Sequence, residues 1–539
     1  MKKTFLFFAC FISLNCHLAE NNACSGNIFE EHELDGDKSN LEDAFLVRSW
    51  EIEGVSLFKI QEIQHLLKSY SETKISFTEL REASLKIEKF YEDQGFLAKV
   101  IIPPQDVTEG VVQLEVLEAR IGEIRIERGG SSLVDDHKIL SIVRGGLAEG
   151  EFYKSNALNR GLLLSDDLSG VSLTGFLEEG SKPGLVDLSL KTLKEDKGNL
   201  EVTFDNANAR ALGKERVVLS GSLVSPLRQG EVISMNSLYS EGSFFRGLSV
   251  SFPFGSKGLK VRFNLSRLNY DVVTEEFKAL NIGGVVDTEE IELSYPIHRS
   301  NKSNLNFSLL ADNRNYLTNV GGTKVKDSKI NSFKAELSGN YFDKVGEGGA
   351  NSASFSFMQG ELDGFGVLPS LKGAYDIYTY KFARQQALTK KFSLYGSIRG
   401  QFTDGLVSGS GQEDYLDSAE NFSLGGLYGV RAYPSGEGTG AEGKVISMEI
   451  RYLINSGLVL KPHYDWGKVK KRNLSSGGPS EYELSGTGIG LSWSGPWATN
   501  IDATFSRRIG KNPNSQPSGA DQDGSLKENR LWFSLSRAF

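Results

Sequence analysis

From about Leu200 to the last residue one signal dominates the chain: apolar residues fall at every second position and no helical period is present. Leu259, Val261, Phe263 and Leu265 form one such run, Leu305, Phe307 and Leu309 another, and Ala353, Phe355 and Phe357 a third. Ile446, Met448, Ile450, Tyr452 and Ile454 alternate with Ser447, Glu449 and Arg451. Side chains along a strand point to opposite faces in turn, so each run makes a strand with one apolar and one polar face. A water-soluble sandwich would bury the apolar face against a second sheet, whereas a membrane barrel would turn it to lipid and line a lumen with the polar one. Alternation alone does not choose between them.

Three further features favour the barrel. The region holds about 340 residues, and sixteen strands of about 10 residues would leave about 11 per connection, which suits short turns on one side and long loops on the other. Gly-rich polar stretches such as Gly405 to Ala419 and Lys511 to Glu528 fit the long loops. The chain ends on a strand-like segment, Leu531 to Phe539, whose last residue is aromatic. Gly supplies 59 of 539 residues, about 11% against a usual 7% or so, as a chain of many strands and turns requires. With 60 Lys and Arg against 69 Asp and Glu, the net charge of -9 gives no bulk reason to expect nucleic-acid binding.

Residues 46 to 193 read differently, as two copies of one mixed unit. In the first, a strand around Phe45 to Ile52 precedes a helix with Ile60, Ile63, Leu66 and Leu67 on one face. A second helix after Thr78 carries Leu80, Ala83, Ile87 and Phe90 and stops at Gly95. Strands Leu97 to Ile102 and Val111 to Leu117 follow, parted by Pro103 and Pro104. The second copy repeats the order with strand Ile121 to Ile126, helices near Val134 to Val143 and Lys154 to Leu168, and strands Val171 to Leu177 and Leu185 to Leu193. Repetition of one supersecondary unit suggests a modular binding arm.

Ahead of these, Lys2 and Lys3 precede the apolar run Thr4 to Leu14, too short to span a bilayer but suited to a secretory leader. Cleavage is expected within about 19 to 25. Cys10 and Cys16 would leave with the leader and Cys24 sits at its boundary, so no internal cysteine pair is expected in the exported chain.

Several segments together carry a resemblance. "GFLAKVIIPPQDVTEGVVQLEVLEARIGEI" holds a Pro-x-Gln turn at Pro103, Pro104 and Gln105, and "LLLSDDLSGVSLTGFLEEGSKPGLVDLSL" closes the second copy. "VTFDNANARALGKERV" carries Asp205, Asn206 and Gly213, and "IELSYPI" ends in Tyr295 and Pro296 with Arg299 close behind. "NFSLGGLYGVRAYPSGEGTGAEGKVISMEIRY" and "HYDWGKV" come later. In this order they resemble the outer-membrane transporters of two-partner secretion, the haemolysin secretion and activation proteins, over nearly all of the exported chain. The resemblance implies α+β periplasmic POTRA repeats followed by an all-β transmembrane barrel of 16 antiparallel strands. The corresponding divisions are a signal peptide at 1–24, an N-terminal segment at 25–45, POTRA domains at 46–119 and 120–194, and the barrel at 195–539.

The same resemblance implies residue roles. The Val-Arg-Gly-Tyr-like loop would fold back into the lumen, placing Arg431 and Tyr433 against the strand of Asp465 and Gly467. Pro103, Pro104 and Gln105 would form the partner-recognition turn, and Phe533, Leu535 and Phe539 the assembly signal of the last strand. Ala432 stands where the family most often has Gly and His463 where it has Phe, which removes the reason to expect φ > 0 at the loop tip. Only about 20 to 25 residues separate the leader from the first repeat, so a full-length plug helix is not expected.

Other chemistry fits poorly. "GTGAEGKV" satisfies GxGxxG through Gly438, Gly440 and Gly443, but Val445 stands where a phosphate loop needs Ser or Thr, and a strand rather than a helix follows. It is expected to be a flexible surface loop. The six His are scattered, with no HExxH, no GxSxG elbow and no paired Cys, so neither a metal nor a cofactor is expected and the chain does not read as an enzyme. Asp166 with Asp167 and Glu178 with Glu179 read as solvated turns; Trp493, Trp497 and Trp532 suit a membrane-interface girdle. The expected function is ATP-independent export of an unfolded exoprotein, adhesin-like or haemolysin-like, from the periplasm through a pore in outer-membrane lipid, inserted by the barrel assembly machinery. A general outer-membrane insertase and a passive porin or haem-related receptor are the alternatives.

Overall fold

The computed structural model describes residues 44–127, 132–365, 371–403, 416–471 and 479–539. The expected leader, residues 25–43 and most of the Gly405 to Ala419 stretch lie outside them. The chain divides into two compact units. One holds the described residues up to Arg125 with Glu149–Tyr153 and Gly175–Leu190; the other holds Ile126–Ala148, Lys154–Thr174 and Lys191–Phe539.

In the first unit the helix Phe77–Asp93 starts at a reciprocal cap: Glu79 N donates to Ser76 Oγ at 3.2 Å and Ser76 N donates to Glu79 Oε2 at 2.7 Å. It ends where Gly95 takes φ 81°, a conformation that costs glycine little. Leu80, Ala83, Ile87 and Tyr91 pack with Ile63 and Leu67 against Val112, Leu114 and Val116 of the strand Val111–Glu118. That strand pairs in parallel with Ser49–Glu53 and antiparallel with Ala98–Ile101. The single strand expected around Phe45 to Ile52 is broken at Arg48. Phe45–Val47 leaves the sheet to pair with Thr73–Ile75, because Arg48 N and Ser49 N both turn to Gly110 O, at 2.7 and 3.2 Å. Glu118 anchors the far end of the sheet: its carboxylate accepts from Ser56 N (2.9 Å), Leu57 N (2.8 Å), Tyr91 Oη (2.8 Å) and Ser56 Oγ. Burial opposes its charge, but these donors hold its pKa below the usual carboxylate range. Of the second copy, the strands Arg120–Ile126, Leu185–Thr192 and Leu173–Glu179 form a three-stranded sheet lying mostly in this unit.

The second unit is dominated by strands. Among the described residues, sixteen antiparallel strands from Gly198–Asp205 to Asn529–Ala538 close into a barrel, the last pairing with the first from Ser534↔Asp205 to Ala538↔Glu201. Turns at the end near the entry of the chain are short, such as 300–302 and 456–457; the longer described connections, 416–441 and 509–528, belong to the other end. Phe263, Leu265, Phe355, Met448 and Ile450 stand exposed on the outside, where lipid removes them from water, while Glu449 and Arg451 turn inward. No helix of the described residues is long and apolar enough to cross a membrane. Closure satisfies every backbone edge, which is what lets strands do so.

Helices Asp136–Arg144 and Ser155–Asp166 belong to this unit and meet the short turns. Arg299 grips Asp167 with two parallel bonds, Nε to Oδ2 and Nη2 to Oδ1, both at 2.8 Å. Asp167 is therefore not the solvated turn residue expected of it; its partner lies 132 positions away in sequence. Glu178, expected likewise in a solvated turn, pairs with Arg125 in the first unit. Pro296 lacks the N–H a ladder needs and sits at a register shift, and its free carbonyl accepts from Arg160 Nη2 at 2.7 Å.

Candidate functional site: the lumen loop and its strand partners

Of the segment joining Phe392–Thr403 to Glu442–Asn455, the described residues 416–441 lie inside the barrel. They are tied into a compact hairpin: Phe422–Ser423 pairs with Thr439–Gly440, Gly425 N donates to Glu437 O at 2.9 Å, and Gly426 N donates to Tyr433 O at 3.1 Å. Gly426, Gly436 and Gly438 take φ of 106°, 85° and 69°, so the tight turns fall on glycines while Ala432 needs none. Leu424, Val430, Ala432 and Tyr433 are fully buried. Gly438 and Gly440 are thus part of a packed lumen hairpin and Gly443 of the barrel strand beneath it, rather than the surface loop expected of the GxGxxG stretch. What decides this is the wall beneath them, not their own spacing.

That wall is made to receive the loop. A Cβ on Gly486 would lie 2.5 Å from Ala432 Cβ, one on Gly467 3.0 Å from Leu424 Cδ2, and one on Gly443 would strike Phe422. The missing side chains let loop and strands approach.

Arg431 is 9% exposed and Asp465 0%. The guanidinium donates from Nε to Asp465 Oδ2 and from Nη2 to Oδ1, both at 2.8 Å, and the backbone N of Arg431 adds a bond to Oδ2 at 3.1 Å. Its Nη1 donates to Glu449 Oε1 at 2.8 Å, and Arg451 Nε holds the other Glu449 oxygen at 2.9 Å. The result is an alternating chain of two arginines and two carboxylates that ties Arg431 of the loop to two neighbouring strands, with a planar geometry lysine cannot copy. Burial alone would lower the Arg431 pKa, but Asp465 and Glu449 hold it above its ordinary value. Tyr433, pushed up to about 12 by burial, packs under Arg508, whose Cζ lies 5.0 Å from the ring centroid.

Other residues pin the loop. Tyr375 Oη donates to Glu420 Oε1 at 2.9 Å and Arg314 Nη2 donates to the same atom at 2.5 Å; Lys326 Nζ donates to both Asp417 oxygens, at 3.0 and 2.9 Å. Trp532 Nε1 donates to Arg431 O at 2.7 Å. Trp532 is buried in the lumen, not in the interface girdle, because Leu531, Phe533 and Leu535 hold the opposite parity on that strand. Trp493 and Trp497 are 38% and 77% exposed. His463 shares the lumen face with Asp465 and sets Nε2 3.0 Å from Ser506 Oγ, packed beside Gly488.

Outside the lumen, Gln105 spends its amide within the first unit: Gln113 N donates to Oε1 at 2.7 Å, and Nε2 donates to Gln113 O at 2.9 Å and Pro103 O at 3.2 Å. The turn Pro103, Pro104 and Gln105 is thereby pinned against Gln113 of the central strand Val111–Glu118. Phe539 closes the barrel with its backbone, its N donating to Leu200 O at 2.8 Å, while its ring is 64% exposed under Arg537. Leu535 also faces outward, and Phe533 N donates to Asn206 Oδ1 at 2.9 Å across the seam. The sequence assigns no role to Glu449 or Glu420 on its face and suggests the girdle for Trp532; strand parity places Glu449 and Trp532 inside, but nothing local marks Glu420. The described residues hold no cluster of three or more metal-binding side chains.

The sequence profile of the haemolysin secretion/activation protein ShlB/FhaC/HecB matches residues 184–493, and that of the ShlB-type POTRA domain matches residues 45–119. The heme/hemopexin transporter protein HuxB of Haemophilus influenzae is 25% identical over 498 residues, covering 89% of this chain and 84% of that one. The structure is similar to CdiB from Escherichia coli, with a TM-score of 0.71 at 17% identity over 95% of this chain and 93% of the other. It is similar also to CdiB from Acinetobacter baumannii, with a TM-score of 0.65 at 16% identity over 95% and 94%. With its POTRA-type N-terminal domain, closed sixteen-stranded barrel and looped lumen, the chain belongs to the haemolysin secretion/activation protein family of outer-membrane transporters.

Proposed function

We propose that this outer-membrane transporter, whose POTRA region lies in the periplasm, captures an unfolded exoprotein there and threads it through the barrel lumen without ATP. The observation that carries the reading is a lumen loop held by Arg431 on Asp465 and Glu449, a plug on a small number of strong bonds inside an otherwise polar channel. In this reading 46–119 and 120–194 are two POTRA domains and 195–539 the pore. An extended segment of the exoprotein adds to an open sheet edge of the arm, where main-chain bonds give affinity and side-chain pockets give register. Export then proceeds because folding outside prevents return.

The partner is a large adhesin-like or haemolysin-like exoprotein; the barrel sits in outer-membrane lipid after insertion by the assembly machinery through its last strand, with Phe533, Leu535 and Phe539 as the signal. No catalytic step is needed, in keeping with a family of transporters. A general insertase would work at the seam between the first and last strands; two repeats rather than about five, and the turn at Pro103, Pro104 and Gln105, favour export over it. A passive porin or haem-related receptor leaves the periplasmic arm without a task.

The test is deletion of 46–119 with the exoprotein co-expressed. Barrel should still insert, seen as a band that migrates faster before boiling, and the exoprotein should accumulate in the periplasm. Normal secretion by the deleted chain would overturn recognition by the first POTRA domain.

A further inference from the structure

We propose that Glu437 is a positioning residue that fastens the lumen loop to the outer segment 509–528, so that the two leave the pore as one body; this rests on the export reading above. Glu437 is 1% exposed, and both its oxygens are taken by that other segment: Asn512 Nδ2 donates to Oε1 at 3.0 Å and Gln522 N donates to Oε2 at 2.8 Å. Residues 509–528 join the last two strands on the side away from the chain's entry, and thus form an outer cap.

The cap is built around Asp521, fully buried, which accepts from Asn512 Nδ2 at 2.9 Å and from Arg508 Nη2 and Arg530 Nη2 at 2.8 Å each. Arg508 and Arg530 stand on the two flanking strands, and Arg210, in the connection after the first strand, donates to Asp523 O at 2.7 Å. One side of the cap is therefore held by the wall. Its other side is held by the lumen loop, with Asn512 shared between Asp521 and Glu437. Burial raises the Glu437 pKa, offset by Asn512 and Gln522, so the acid depends on these two donors. If the loop moves and the cap stays, Glu437 loses both donors while still desolvated; if the cap follows, the bonds travel intact. The second course is the cheaper one.

The chain has no cysteine beyond Cys24, so single reporters can be placed in a Cys24→Ser background. Ser423→Cys reports the loop, because Ser423 Oγ is buried without a hydrogen-bond partner among the described residues, and Ala520→Cys reports the cap, where Ala520 is 3% exposed. Maleimide labelling of the assembled full chain in outer-membrane vesicles needs no exoprotein, so its result is separate from that of the secretion assay. Both positions should label slowly in the parent. Asp521→Asn should speed both by about tenfold or more, and adding Glu437→Ala should return position 423 to within about twofold of the parent while 520 stays fast. Position 423 responding equally with and without Glu437→Ala, or not responding when 520 is released, would overturn the coupling. If Asp521→Asn does not assemble, urea decides. The two reporters should become reactive at one midpoint in the parent and at two midpoints with Glu437→Ala, and an unsplit midpoint in that variant would overturn the proposal.

Discussion

Removing the Arg431 side chain takes away three bonds at once, two to Asp465 and one to Glu449. The Asp465 side chain is 1% exposed and would keep only the backbone N–H of residue 431. Stripping one partner from a buried pair costs about 3–5 kcal/mol, so Arg431→Ala should shift loop docking by about a hundredfold or more. Asp465→Ala should cost less, about 2–3 kcal/mol, because the guanidinium keeps Glu449. Arg431→Lys keeps the charge but not the two parallel bonds, and should cost about 1–2 kcal/mol. The double Ala variant should be little worse than Arg431→Ala, leaving a coupling energy of at least about 2 kcal/mol. Urea titration of barrels in vesicles, read by labelling at position 423, gives the energies; exoprotein in the medium gives the consequence, with each Ala variant impairing secretion while inserted barrel stays detectable. Additive losses, or a Lys variant as damaged as the Ala variant, would refute a planar pair shielded from water.

Gly486→Ala should mimic Arg431→Ala in part, since its Cβ would press on Ala432 Cβ at 2.5 Å, an overpacking cost of about 1–3 kcal/mol read by the same labelling. Glu118→Ala should destabilise the first unit by about 1–3 kcal/mol in a thermal melt followed by proteolysis of the full chain. The wild-type pKa is held below its unfolded value, so this contribution is fully present above about pH 4.3 and fades as pH falls through the folded pKa, whereas the Ala variant should lack that loss. Phe539→Ala should lower the amount of heat-modifiable barrel while keeping the backbone bond to Leu200, and unchanged levels would argue against a terminal assembly signal. Asn206→Ala should weaken the seam, because Nδ2 donates to Leu531 O at 3.0 Å and Oδ1 accepts from Phe533 N at 2.9 Å; the gel transition should occur at lower temperature.

Alternation and parity were written in the chain. Period 2 made Met448 and Ile450 outward and Glu449 and Arg451 inward, and the same parity applied to Leu531 and Trp532 removes Trp532 from the membrane girdle. The His-x-Asp-x-Gly spacing likewise puts Asp465 and Gly467 on one face with His463. Capping at Ser76 and Glu79 was local too. Local spacing determines such features because a side chain's face depends only on its own strand or helix.

Which faces meet is a different matter. The loop lies over Gly443, Gly467 and Gly486 because three strands bring three missing side chains to one patch, and no single strand announces that. Asp167 looked like a solvated turn residue until the end of a barrel strand supplied Arg299. Glu437 and Asn512 are 75 positions apart and meet only because barrel closure sets the last connection over the lumen loop. Sequence by itself determined the strands, their two faces and the family pattern; register and closure decided the neighbours, since an ion pair needs contact within a few ångströms and only the tertiary structure sets distances between strands.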